Sequence, residues 1–188
     1  MNYFTNDSKT AYEAKSEAQR IAFAPIVFQA CRVLRDSGIL EAVQTAGGNG
    51  LSLNDVAAKI SLPRYGIKVL LESGLGAGLF FLKENHFVIT KLGYFMLRDE
   101  MTRVNMDVVH DICYRGFFDL DKAIAEGKPA GLKTLGDWKT FYEGLSSLPP
   151  HARDSWLAFD HFYSDAAFPG ALKIVFADAP KRLLDVGG

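Results

Sequence analysis

The stretch LSLNDVAAKISLPRYGIKVLLESGLGAGLFFLKENHFVITKLGYFML, residues 51–97, constrains the fold more than any other part of the chain. Ser52 is a good helix N-cap and Asp55 sits favourably in the first turn, so a short helix is expected to about Ile60. Pro63 then opens a longer helix, whose apolar stripe is Ile67, Leu70, Leu71 and Leu75. After Gly78, FFLK and HFVIT are separated by Glu84-Asn85, which predicts a β-hairpin. Thr90 caps a further helix, KLGYFML. Helix, turn, helix and hairpin in this order predict a winged helix-turn-helix.

The flanking sequence reads as helical. Residues 9–24 lean helical and stop before Pro25, which fits the first turn of a second helix because its missing N–H costs nothing there. In that helix Ile26, Val27, Ala30, Val33 and Leu34 recur at helical spacing, and Gly38 suits its C-terminus. Ile26, Phe28 and Val33 spread around too much of the circumference for a small domain to bury alone, which predicts a dimer. ILEAVQTA makes a short helix before the loop at residues 47–50. From Met101 to Glu126 a long helix is expected, interrupted near Gly116. Helices around DWKTFYEGL and PPHARDSWLAFDHFYS follow, and then AAFPGALKIVFA, with Pro169 as a bend.

Pro180 leads into RLLDVGG, an apolar run closed by glycines, the pattern of a strand from an open α/β sheet. A lone strand needs ladder partners, so the rest of that sheet is expected beyond Gly188. The expected fold is mainly α with a small β-hairpin wing, leading into a truncated α/β Rossmann-like domain. Its organisation is a winged-helix dimerisation domain over 1–100, a helical region over 101–180 and a first strand over 181–188.

Composition narrows the function classes. A formal net charge of −1 gives no electrostatic reason to expect nucleic acid or an anionic membrane as partner. No apolar run reaches the roughly 18 residues of a membrane span, and the polar first ten residues do not form a signal peptide. Cys31 and Cys113 have no metal-ligand spacing, so a reducing cytoplasm is the expected compartment and no metal site is expected.

Each motif has a bland reading beside the functional one. LLDVGG is either an ordinary strand with a glycine turn, or the nucleoside-binding turn at the end of the first strand of a doubly wound sheet. In the second case Asp185 orients the loop. The winged helix is either a DNA reader or a packing module. Its second helix offers Arg64, Tyr65 and Lys68 but opposes them with Glu72, and the wing sets Lys83 against Glu84. A DNA reader needs several phosphate contacts, so partner packing is the favoured reading. His86 falls in the wing, and His110 and His151 read as solvated helix residues. His161, among aromatics, reads as a structural histidine. Asp160, His161 and Ser164 make no triad, because adjacent helical residues do not face each other. Trp156, Phe159, Phe162 and Tyr163 are either core or one face of a ligand site.

Taken in order, VLRDSGILEAV, residues 51–97, EGKPAGLKTLGDWKTFYEGL and RLLDVGG resemble the N-terminal part of dimeric S-adenosylmethionine-dependent O-methyltransferases that act on small molecules. The resemblance implies a homodimer in which the winged helix helps close the partner's acceptor pocket and does not bind DNA. It places Asp185, Gly187 and Gly188 at an S-adenosylmethionine site that is incomplete in this chain. Phe159, Tyr163 and Ser164 match the helix that reaches the donor, and Phe159 and Phe162 are the candidate acceptor contacts. It implies methyl transfer to a hydroxyl of a small aromatic or polyketide-like acceptor, in which positioning dominates and a base assists. None of the four histidines replaces the family's catalytic histidine by position, so no catalytic residue is assigned and the 188 residues alone are expected to be inactive. The alternative is a winged-helix DNA-binding transcriptional regulator.

Overall fold

The computed structural model describes residues 6–184. Asp185, Gly187 and Gly188, assigned above to the donor site, lie outside the described residues. Two compact units divide between Asp99 and Glu100.

The first unit opens with α1 (Ala11–Ala22), started by a reciprocal capping box. The Glu13 amide donates to Thr10 Oγ1 at 3.3 Å and the Thr10 amide to Glu13 Oε2 at 2.8 Å. No residue of α1 is buried. In α2 (Ala24–Asp36) Pro25 occupies the first turn as expected, and Cys31 and Leu34 turn inward. Gly38 ends this segment at φ 81°, a left-handed conformation that glycine adopts without a Cβ penalty. Next come α3 (Ile39–Thr45), α4 (Leu53–Lys59) and α5 (Arg64–Gly76). Ser52 caps α4 through a second reciprocal box with Asp55. The core gathers Leu34, Ile39, Leu40, Val43, Val56, Ile67 and Leu71, each completely buried.

The wing is an antiparallel hairpin of β1 (Phe80–Lys83) and β2 (His86–Ile89), in register Phe80↔Ile89 to Lys83↔His86. Glu84 at φ 51° and Asn85 at φ 64° make the two-residue turn, whose positive φ values match the twist of the paired strands. Leu51 pairs with Phe87 on the other side of β2, through amide-to-carbonyl bonds of 3.1 and 2.8 Å. Gly50, at φ 65°, precedes this pairing, and a Cβ there would collide with the Phe87 carbonyl. Thr90 caps α6 (Lys91–Arg98), accepting from the Gly93 amide at 3.0 Å. Its hydroxyl donates to the Gly78 carbonyl at 2.7 Å, which clasps the root of the hairpin. A helix-turn-helix followed by a hairpin is a winged helix.

The second unit begins with α7 (Glu100–Val108), where a long helix to Glu126 was expected. The path is instead a π-helical turn (Val109–Cys113), α8 (Tyr114–Gly116), a 3₁₀ turn (Phe117–Asp119) and α9 (Leu120–Glu126). At the interruption near Gly116 the Gly116 and Gly131 backbones approach closely and leave no room for a Cβ on Gly131. Gly127 ends α9 at φ 64°. The helix expected around DWKTFYEGL shrinks to α10 (Phe141–Gly144), because Thr140 adopts an extended backbone and caps only from there. Next are α11 (Pro150–Ser164) and α12 (Phe168–Val175). Pro169 does not bend α12; it lies in the first turn, where its missing N–H is unneeded. The described part of the expected final strand, residues 181–184, forms no strand, and Leu183 and Leu184 are exposed. Those residues pair with no ladder among the described residues, and an unpaired strand is not stable. No described helix is long and apolar enough to cross a membrane.

Candidate functional site

Contacts between α7 and α11 organise the second unit around Val108, Ile112, Leu148 and Ala152. Half-buried aromatics pack on this nucleus from three segments: Trp138, Phe141, and Trp156 with Phe159. The Trp138 indole lies against Gly136 and Gly144, at each of which a Cβ would overlap the ring.

The aromatic rings continue along α11 as a ladder. Phe141 and Trp156 centroids are 4.7 Å apart, Trp156 and Phe159 6.1 Å, and Phe159 and Tyr163 5.0 Å. Phe162 meets Tyr163 edge-on at 5.1 Å. The i, i+4 spacing of Phe159 and Tyr163 puts their rings on one face, as helical geometry requires. Tyr163 is half-exposed, and its hydroxyl donates to Asn105 Oδ1 of α7 at 3.0 Å. The four aromatic residues singled out in the sequence, Trp156, Phe159, Phe162 and Tyr163, are therefore brought together as one ladder, from a half-buried end to an open one. Ser164 lies beside it, its hydroxyl donating to the Asp160 carbonyl at 2.8 Å within the helix.

The histidines are placed differently from one another. His161 is exposed, with Nδ1 3.0 Å from Asp165 Oδ1, a pairing one helical turn long. Asp160, His161 and Ser164 form no relay, as expected. His86 Nδ1 sits 2.9 Å from the Glu84 carbonyl in the wing. His151 is exposed in the first turn of α11. His110 departs from the solvated helix position expected of it. The π-helical turn half-buries it beside Asp111, with Nε2 4.0 Å from Oδ1. Asp111 Oδ2 accepts the Ser155 hydroxyl at 2.5 Å. The sequence gives no periodic signal for a π turn, so this cluster went unread.

Burial pushes both thiols upward in pKa, Cys31 in the winged helix and Cys113 in the π turn. Burial thus disfavours the thiolate form of each. Among the described residues no group of three or more His, Cys, Asp or Glu side chains is arranged to hold a metal ion.

Two outward basic residues of α5 have local partners. Lys68 lies 3.7 Å from Glu72 on α5, and Arg64 donates to Asn54 Oδ1 at 3.0 Å. Apolar side chains are left in the open instead: Tyr12 and Ile21 of α1, Phe23, and Ile26 of α2, each more than half exposed.

Residues 15–87 match the Dimerisation2-like domain family. Over 84% of this chain the fold matches the S-adenosylmethionine-dependent methyltransferase SibL in its apo form, with a TM-score of 0.68 at 22% identity. The pyocyanin biosynthetic protein PhzM matches over 89% with a TM-score of 0.63 at 15% identity. The N,N-8-amino-8-demethyl-D-riboflavin dimethyltransferase RosA from Streptomyces davawensis matches over 90% with a TM-score of 0.58 at 17% identity. The matches cover 46%, 48% and 47% of those three chains, so this chain spans about half their length. No curated protein sequence matches it. The first unit thus carries the match to the Dimerisation2-like model over residues 15–87, in a chain that shares the fold of these solved structures across the part they have in common.

Proposed function

We propose that this chain supplies the dimerisation unit and the acceptor-side helices of an S-adenosylmethionine-dependent methyltransferase that O-methylates a small aromatic or polyketide-like hydroxyl compound. One observation carries the reading: a Dimerisation2-like domain is followed by a helical unit, and the two together match the SibL fold over 84% of the chain. Nothing in the charge arrangement of α5 and the wing favours a DNA-binding regulator.

The aromatic ladder fits the chemistry of such a donor. Bound S-adenosylmethionine supplies an activated methyl group on a positively charged sulfur. The half-exposed Tyr163 ring next to Phe159 offers an aromatic face of the kind that attracts a cation. Asp185, Gly187 and Gly188 are proposed for the rest of the donor site, where glycine lets a ligand approach the backbone. Tyr163 and Ser164 lie on the helix proposed to reach it. Phe159 and Phe162 are proposed to flank the acceptor ring and hold its hydroxyl in line, so that orientation lowers the barrier. The exposed face of α1 and α2 is proposed to bury itself against a second copy, because twofold dimers are the commonest assemblies.

The test uses the product of the full reading frame that contains this sequence. It should bind S-adenosylmethionine in calorimetry, and Gly187→Val or Gly188→Val should abolish that binding. Methylation of matched phenol, aniline and carbon-acid acceptors should occur at oxygen. Retained affinity in both valine variants would overturn the donor-site assignment, and transfer to nitrogen or carbon alone would overturn the O-methylation.

A further inference from the structure

Between the π-helical turn and the start of α11 lies a cavity of about 290 Å³. Its charged and polar groups come from three stretches of chain: His110, Asp111 and Arg115 from the turn and α8, Thr134 from the 3₁₀ segment before Trp138, and His151 from α11. We propose that this cavity binds a small organic anion through a carboxylate or phosphate group, gripped by Arg115 with His151. None of these residues belongs to the aromatic ladder, so the proposal stands apart from methyl transfer.

The distribution of donors and acceptors carries the argument. The one carboxylate among the lining residues, Asp111, has a hydrogen-bond partner on one oxygen and a histidine ring near the other. Oδ2 accepts from Ser155 at 2.5 Å, and Oδ1 faces His110 at 4.0 Å. The Arg115 guanidinium makes no hydrogen bond or ion pair among the described residues. A guanidinium presents a planar fork of N–H donors that matches two oxygens of a carboxylate or phosphate. His151 lines the cavity from α11. The surplus in the cavity is thus of donors, which is what an oxyanion requires. Ile112, Leu135 and Ala152 supply an apolar wall for the remainder of the ligand. The volume sits at the small end of ligand sites, about right for one ring bearing one anionic group.

The test is titration of this chain with benzoate, inorganic phosphate and neutral benzyl alcohol, followed by calorimetry and amide NMR. Benzoate or phosphate should bind saturably and shift amides at 110–115, 134–135 and 151–152, and benzyl alcohol should not. Binding of benzoate alone assigns a carboxylate, and binding of phosphate alone assigns a phosphate. Arg115→Gln should weaken the anion by about tenfold or more, the effect of losing one charge-assisted hydrogen bond. Arg115 is exposed and unpaired among the described residues, so the variant should keep the parent's circular dichroism. The proposal is overturned if neither anion binds, if benzyl alcohol binds as tightly as benzoate, or if Arg115→Gln and His151→Gln both leave affinity unchanged.

Discussion

The Tyr163 hydroxyl donates a 3.0 Å hydrogen bond to Asn105 Oδ1 and so ties the open end of the aromatic ladder to α7. A single neutral hydrogen bond contributes about 0.5–1.5 kcal/mol net. Tyr163→Phe removes the hydroxyl and keeps the ring, so it should destabilise the second unit by about that amount. In a double-mutant cycle with Asn105→Ala, urea unfolding should give a coupling energy of similar size. Zero coupling would mean that solvent replaces the bond without loss.

Two glycines of the loop at residues 47–50 share a positive φ but not a neighbourhood. Gly47 has open space around it, whereas a Cβ at Gly50 would strike the Phe87 carbonyl. Gly47→Ala should cost only the left-handed penalty, about 1–2 kcal/mol. Gly50→Ala should cost clearly more, because the Leu51–Phe87 pairing must also shift. Equal denaturation midpoints for the two variants would contradict this.

The Ser52–Asp55 box makes a prediction about acid. The Ser52 side-chain hydrogen bond, then its backbone bond, holds the Asp55 carboxyl below its ordinary value of 3.8. A depressed folded pKa contributes stability above the unfolded value and loses it as pH falls through the folded one. Ser52→Ala should therefore destabilise most near neutrality, with the gap to the parent narrowing once pH drops below about 3.8. Thermal melts across that range check the direction.

If the open face of α1 and α2 meets a second copy, charge placed there should separate the copies. Ile21 and Ile26 are 63% and 67% exposed, so Ile21→Glu and Ile26→Glu should leave the fold intact. Light scattering behind gel filtration should report a dimer for the parent and a monomer for the double variant. A monomeric parent at high concentration would remove the homodimer from the proposed function.

The winged helix was legible from sequence because its devices are local. Pro25 in a first turn, Ser52 and Thr90 as caps, and Glu84-Asn85 at a tight turn each declare a backbone state without reference to distant partners. The second unit follows longer-range rules. The π turn at Val109–Cys113 has no periodic signature, and Pro169 can bend or begin a helix depending on what precedes it. The ladder of Phe159, Phe162 and Tyr163 was visible as a run of aromatics on one helix. Its half-buried end, Phe141 against Trp156, joins segments that only tertiary packing brings together. The cavity at His110, Arg115 and His151 draws on three stretches and was invisible for the same reason.

The Leu51–Phe87 bridge also says something about the order in which the first unit assembles. It joins the two ends of a segment that contains α4, α5 and the hairpin turn, so its closure spans all of those elements. The hairpin spans no such segment, because its strands are adjacent in the chain. Long-range pairings of this kind carry a loop-closure cost that local ones do not, and they mature late. The two amides of the bridge are therefore natural timers: in pulse-labelled hydrogen exchange they should gain protection with the final cooperative step of this unit, after the helices between them.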